Sequence, residues 1–596
     1  MQIDLGVPGV LLSVALLLVF GAVTYMWQTR RAAQTDGGYT TSIEGETETE
    51  KLPGLARWFT TVDHRDIAIL YILFGVVAAL WGGTDAMMVR TELITPGKTI
   101  WGTETYNGLF TTHGITMIFF FVVPVFSGIA NYFLPPLIGA DDMAFPRINA
   151  IAFWLLPPAL VLVRGGLITE ILGKVIEPLG LAAIAAPLLA LEPVTTSWTM
   201  YTPLSVEQAN MQVDLMLLGL HLSGLATVMA SINFIVTIFA ERSENVTWAT
   251  LDIFSWTMLT MSGLALFAFP VLGSALIMLF LDRNFGTTFF AIDGGGPMLW
   301  QNLFWFWGHP EVYILVLPAF GLTSFILPKF TDRRLFGFKF IVYSTLAIGV
   351  LSFGVWAHHM FTTGLDPRVR ASFMAVTLAI AVPSAVKVFN WMTTMWSGRI
   401  RLTAPMILII GGIGTFVIGG VTGVFLASIP VDLVLQDTYY VVGHFHFIIM
   451  GIIAMSMVAA SYYWFPILTR RMYDQRIAKV QAGLMIVGVF LTFTPMLIMG
   501  YLGLPRRYAT YPQQFTLLNQ IATGGAYILG TSVFLWLVNF VQSARIGPLV
   551  MDADVWNLKE TGQFTREWQW FEEQLKERYD IDDQLAVQNQ SPTSNE

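Results

Sequence analysis

The 596-residue sequence contains no cysteine. That excludes disulfides, iron–sulfur clusters and thiolate-ligated copper within this chain. Charge is scarce as well: 12% of residues are charged and 55% hydrophobic, where an ordinary soluble domain is about 25% charged. Apolar runs of about 20 residues, each long enough to cross a bilayer core, recur along nearly the whole chain. A string of soluble domains is therefore excluded, and the chain reads as an all-α, polytopic membrane helix bundle. The basic stretch that opens a secretory signal is missing too: Arg30 and Arg31 follow the first apolar run, about Gly6–Trp27. That run reads as a retained span with its N-terminus outside. No internal repeat is visible. The net charge of −8 is concentrated in Met551–Glu596, with eleven acidic and four basic residues, which argues against nucleic acid as a partner.

What is present divides the chain simply. Residues 1–29 hold the extra N-terminal span and 30–66 an inner-side linker, acidic and polar over Thr35–Lys51. Twelve further spans are expected within 67–544, near 67–90, 107–137, 148–168, 212–240, 252–281, 299–328, 335–362, 370–396, 403–427, 437–467, 477–502 and 518–544. That makes about 13 spans, a twelve-helix core plus one. Alternating them places Lys51, Arg57, Arg147, Arg242, Arg333, Arg334, Arg399, Arg401, Arg470 and Arg471 on the inner side, as the positive-inside rule asks. The acidic tail, 545–596, then lies inside, as suits a multi-pass protein of the cell membrane. Residues 159–196 form an enlarged outer-side connection whose apolar part, Leu179–Leu191, is too short to cross and reads as a re-entrant or surface segment.

Of the eight histidines, two flank Phe445 in the run Asp437–Met450. Positions two apart differ by about 200° around a helix, so His444 and His446 leave one helix on opposite sides and can serve two centres. On the topology above, these two share a layer with His113, His309, His358 and His359, roughly 5–15 Å below the outer surface by helical rise. Imidazoles in hydrocarbon are costly and mark function; six at one depth are hard to attribute to packing. His64 is expected to be solvated on the inner side, and His221 to be a satisfied core residue. Imidazole suits iron, copper, nickel and zinc. Six nitrogens without sulfur fit one iron porphyrin with two axial histidines, a second with one, and a copper ion held by three.

At this point the residues resemble a known family, subunit I of the haem–copper oxygen reductases, the respiratory terminal oxidases. The resemblance runs from about Arg57 to Tyr511 through WGHPEVYILVLP (307–318), WAHHMFTTGLD (356–366), DTYYVVGHFHF (437–447), IGADDMAFPRIN (138–149) and GLPRRY (503–508). It implies His113 and His446 on a low-spin haem, His444 on a high-spin haem, and His309, His358 and His359 on copper. The haems would be of A type, with O type as the alternative. Arg506 and Arg507 match the pair that holds haem propionates, and Arg90 is assigned to the same cofactor-binding set. HPEVY is similar to the version in the oxidase branch with two proton paths, in which the histidine (here His309) is covalently joined to the tyrosine (here Tyr313); the two are i,i+4 on one helix face. Glu311 would take up and release one proton per cycle. Asp142, Asn131, Asn149, Thr227 and Asn233 match the path from the inner side to Glu311; Lys387, Ser384 and Thr377, which can share one face, match a second path to Tyr313. Gln436 precedes Asp437 where the family typically has a histidine bound to an outer Mg²⁺ or Mn²⁺, so of that site only Asp437 is carried over.

The resemblance implies reduction of O₂ to water by a proton-pumping terminal oxidase. Electrons would come from a subunit II, because its cysteine-ligated copper site cannot be in this chain. Cytochrome c, a blue-copper protein or a quinol would supply them, and small membrane subunits would complete the assembly. Nitric oxide reductase, the enzymatic alternative, calls for extra glutamates near the metal and no HPEVY tyrosine. A non-redox transporter would spread its histidines across the membrane instead of gathering them in one layer.

Overall fold

The computed structural model describes residues 54, 56–97 and 99–579. Among them eleven helices are long and apolar enough to cross a membrane, and a shorter apolar helix stands where the seventh core span is expected. In chain order they are α1 His64–Glu92, α2 Thr103–Ile138, α3 Pro146–Leu179, α4 Gln212–Glu241, α5 Ile253–Phe285, α6 Gly296–Phe330, α7 Phe338–Ser352, α8 Pro367–Met395, α9 Ala404–Ala427, α10 Tyr439–Tyr463, α11 Gln475–Tyr501 and α12 Gln513–Ile546. A last helix, α13, Arg566–Tyr579, follows them. There is no β-strand among the described residues. The expected span near Gly6–Trp27 lies outside the described residues, so a count of 13 is not reached within them.

Helices are the answer hydrocarbon imposes, since each backbone polar group must find its partner within the segment. Their starts are written in the sequence. Asp63, Asp252, Asp366, Thr403, Thr438 and Asp474 each accept a backbone N–H from the first turn of the helix that follows, satisfying donors that the helix cannot. Side-chain size sets how closely the helices approach. A β-carbon on Gly488 of α11 would lie 2.8 Å from Leu529 N of α12, so only glycine permits that crossing.

Three helices depart from regular geometry near the histidine layer or the inner loop: π-helical turns occupy Thr116–Val122 in α2, Thr237–Glu241 in α4 and Phe447–Ile453 in α10. Such turns are frequent at functional sites. α8 is interrupted at Ile380, between Ala379 and Ala381. Pro383 explains it, because it has no N–H for the carbonyl four residues earlier and its ring crowds that carbonyl.

α3 continues to Leu179, well beyond the span expected near 148–168. Arg164, Glu170 and Lys174 lower the local hydropathy without interrupting the helix, which is why the span looked shorter. A short helix, Ala182–Leu189, then folds back with Leu189 against Gly173. On the opposite face, α13 tucks under the bundle. Trp568 is fully buried and donates to the Tyr463 hydroxyl at 2.6 Å. Lys329 donates to the Gln563 carbonyl at 2.7 Å and Thr565 Oγ1 at 3.1 Å, tying the segment before α13 to the end of α6.

Candidate metal centres

All six histidines of the expected layer line one cavity of about 1510 Å³. It exceeds the usual range of about 300–1,000 Å³ for a single small-molecule site. α2, α6 and α10 begin on the same face of the bundle, and their histidines lie in the first halves of those helices.

The protonation of three rings follows from their neighbours. His113 Nδ1 is 2.8 Å from the Gly82 carbonyl, His446 Nδ1 is 2.9 Å from the Val442 carbonyl, and His444 Nδ1 is 2.9 Å from the Gly419 carbonyl. A carbonyl only accepts, so each Nδ1 carries the proton and each Nε2 keeps its lone pair free. His444 also lies 3.1 Å from Thr422 Oγ1. That hydroxyl donates back to its own helix, to the Gly419 carbonyl at 2.8 Å, and so offers the imidazole a second acceptor. Gly423 leaves room for this ring: a β-carbon there would meet His444 Cε1 at 2.8 Å.

His113 and His446 face each other with ring centroids 6.3 Å apart and planes within 8° of parallel. Two metal–nitrogen bonds of about 2 Å in line, added to the two ring radii, fill that gap. Phe493 stacks on His446 with ring centroids 4.7 Å apart.

His309 Nδ1 lies 3.1 Å from His358 Nε2 and 3.4 Å from His359 Nε2. The three ligand nitrogens all fall within 4.8 Å of one another. Nitrogens about 2.0 Å from one ion, at tetrahedral or trigonal angles, lie about 3.3–3.5 Å apart, close to the two edges that meet at His309. His359 stacks on Trp305 at 3.8 Å, and Trp305 Nε1 donates to the Tyr201 hydroxyl at 2.7 Å. Gln436 Nε2 donates to the His359 carbonyl at 3.0 Å, a contact that sequence reasoning did not suggest. His309 Nε2 is buried without a partner among the described residues, and the Tyr313 ring is 4.7 Å from the His309 ring, centroid to centroid.

At the rim, Arg506 and Arg507 line the cavity. Arg506 Nε donates to Asp437 Oδ1 at 2.8 Å, and Arg507 donates to Thr199 Oγ1 at 3.3 Å. Arg90 is buried, donating to the Tyr439 hydroxyl at 3.0 Å, the Asn519 carbonyl at 2.7 Å and Thr523 Oγ1 at 2.9 Å; its Nε has no partner among the described residues. Nearby Asp432 is also buried, with neither carboxylate oxygen hydrogen-bonded among the described residues.

Glu311 is buried in α6 with both oxygens unpartnered among the described residues. The polar residues expected on the inner side fall into two groups. Asn149 Nδ2 donates to Asn131 Oδ1 at 2.5 Å, and Asn233 Oδ1 accepts from Phe145 N at 2.9 Å, holding the loop that carries Asp142. Burial raises the Asp142 carboxyl pKa, and the nearby His64 opposes the rise. Thr227 donates within its own helix, to the Ser223 carbonyl. On the other side, Thr377 Oγ1 lies 3.4 Å from His358 Nδ1, while Ser384 donates to the Ile380 carbonyl. Lys387 does not reach the surface: it is fully buried and donates to Thr345 Oγ1 at 2.6 Å and the Ile341 carbonyl at 3.1 Å. The break at Ile380 separates Thr377 from Ser384 and Lys387.

Two histidine expectations need correction. His64 is not solvated; it is buried, with Nδ1 2.7 Å from the Asn131 carbonyl, because α1 begins against the inner half of α2. His221 is not a satisfied core residue: its Nδ1 has no partner among the described residues and packs toward Gly273, which has no side chain to offer one.

A membrane helix bundle that gathers six imidazoles around one apolar cavity, two of them opposed and three converging, has the makings of nitrogen-ligated metal centres. The comparisons narrow the class. Residues 66–528 match the family described as Cytochrome C and Quinol oxidase polypeptide I, and the chain belongs to that family, subunit I of the haem–copper oxygen reductases. The chain is 58% identical over 545 residues to cytochrome c oxidase polypeptide 1 of Halobacterium salinarum, covering 91% of this chain and 89% of that protein. It is 40% identical to cytochrome c oxidase subunit 1 of Thermostichus vulcanus, over 88% and 90% of the two chains. A haem–copper terminal oxidase dimer solved by cryo-EM shares the fold, with a TM-score of 0.63 at 19% identity over 84% of this chain and 89% of that one. Membership implies haems and copper, which the histidine geometry fits, and a subunit II beside this one.

Proposed function

We propose that this chain is the catalytic subunit of a proton-pumping cytochrome c oxidase of the two-proton-path branch, reducing O₂ to water. The observation that carries the reading is the division of six imidazoles into a parallel pair, a converging trio and a single ring with a free Nε2. In it, His113 and His446 hold a low-spin haem, His444 a high-spin haem, and His309, His358 and His359 a copper ion. Two haems, of A type, and the copper supply electron transfer and oxygen reduction when bound.

The chain's own residues do the rest. Carbonyls fix the tautomers of His113, His444 and His446, so no ring must reorient before ligation. Tyr313, beside His309, would give one electron and its phenolic proton to the oxygen being reduced and be left as a neutral tyrosyl radical. Arg506 and Arg507 present cations to propionates, and Arg90 anchors the low-spin side. Asp142 collects protons from the inner side, and Asn131, Asn149, Thr227 and Asn233 line their way to Glu311. The free oxygens of Glu311 let it accept a proton from one water and pass it to another. Lys387, Ser384 and Thr377 serve Tyr313 from the opposite flank. Electrons arrive from cytochrome c through subunit II, and the C-terminal segment lies on the inner side of the cell membrane.

The test is a visible spectrum of the purified complex, reduced with dithionite, before and after carbon monoxide. Two haem signals of which only one shifts are expected; a folded preparation without haem would overturn the proposal. His309→Ala should abolish oxygen reduction yet leave the low-spin signal in place. Full turnover in that variant would show that the copper lies elsewhere.

A further inference from the structure

A buried ion pair lies within hydrogen-bonding reach of the turns that hold His113. Arg164 of α3 is bidentate to Asp85 of α1, at 2.7 and 2.9 Å. Both residues are buried, Arg164 completely. Asp85 stands one turn after Gly82, whose carbonyl accepts the His113 Nδ1 proton. Thr112, next to His113, donates to Asp85 Oδ2 at 3.1 Å. Arg164 Nη1 also donates to Thr116 Oγ1 at 3.0 Å, one turn beyond His113. The guanidinium sits 4.2 Å from the Trp81 ring, beside Gly82. The pair thus contacts the neighbours of both the imidazole and its hydrogen-bond acceptor.

Stability alone does not explain it. Replacing a buried ion pair with apolar side chains of similar volume is often neutral or stabilising, and ionisable groups at membrane depth are retained chiefly for function. We propose that Asp85 and Arg164 are positioning residues that set the reduction potential of the metal group ligated by His113. The carboxylate cancels the guanidinium charge; at an effective dielectric constant of about 20, an uncompensated unit charge at a separation on the order of 10 Å shifts a one-electron equilibrium roughly tenfold.

This inference rests on reading His113 as a haem ligand. Its test is a spectroelectrochemical titration of the low-spin haem in the assembled complex, together with the EPR spectrum of its ferric form. Asp85→Asn keeps the shape and leaves Arg164 uncompensated, which disfavours ferric iron. Its midpoint potential should rise by about 60 mV, a tenfold shift for one electron, with unchanged EPR g-values. Arg164→Lys keeps the charge and should stay near the wild-type potential. If Asp85→Asn does not assemble, Arg164→Gln carries the opposite sign and should lower the potential. An unmoved potential in whichever neutralising variant assembles would overturn the proposal. So would altered g-values with equal potential shifts in Asp85→Asn and Arg164→Lys, because the pair would then act only as a clamp. A wild-type complex without a six-coordinate low-spin haem would instead overturn the ligand reading on which this one stands.

Discussion

Each imidazole in the cavity is aimed by the contact its other nitrogen makes or by the ring packed against it. His444 depends on both the Gly419 carbonyl and the bare α-carbon of Gly423. Gly423→Ala should therefore remove most of the carbon monoxide-sensitive haem signal while sparing the other haem; two intact signals would show that the ring has room to shift. Asp432 gives a pH signature. Burial pushes its carboxyl from the ordinary 3.8 to about 8, with Asp437 adding to the rise and Arg506 opposing it. The folded chain then holds a proton that the unfolded chain releases, so its contribution to stability is full below about pH 4 and is lost as pH climbs toward 8. In detergent, the melting temperature of Asp432→Asn should fall less than wild type between about pH 5 and 8; equal slopes would acquit the residue. The histidine layer was legible because depth along a helix follows from counting residues. His64 was not, because its burial is set by a carbonyl of α2 that no local pattern near residue 64 announces.

Whole elements were read more reliably than their irregularities. The twelve core positions could be placed from apolar runs, but hydropathy is blind to a π-helical turn, which changes hydrogen bonding without changing composition. The interruption of α8 was available in principle from Pro383; its consequence, Thr377 beside His358 with Lys387 turned toward α7, needed the packing. α13 was missed as an element because its sequence is acidic and lacks a long apolar run, although Trp568, Phe571 and Leu575 recur at the spacing of one helix face. Trp568 is wholly buried, and Trp568→Ala should cost about 3–5 kcal/mol, measured as a lower melting temperature of the purified complex. A change within error would mean that α13 is not held by that side chain.

At the scale of the molecule, charge and depth are distributed unequally. The imidazoles crowd toward one face, while Asp142 and the buried asparagines near it lie toward the other. Asp142→Asn should slow oxygen consumption at least several-fold and lower the number of protons expelled per electron, read with a pH electrode on reconstituted vesicles. Unchanged rate and ratio would reduce Asp142 to a loop residue. The same asymmetry makes the bundle resemble a capacitor with its reacting plate set off-centre. In the proposed enzyme, electrons handed in at the near face would cross the thin side, and protons drawn from the far face would cross the thick side. Each pair that meets completes the transit of one elementary charge, work of about 2.3 kcal/mol for every 100 mV across the bilayer. Turnover would therefore polarise the membrane even in a variant that expelled no protons.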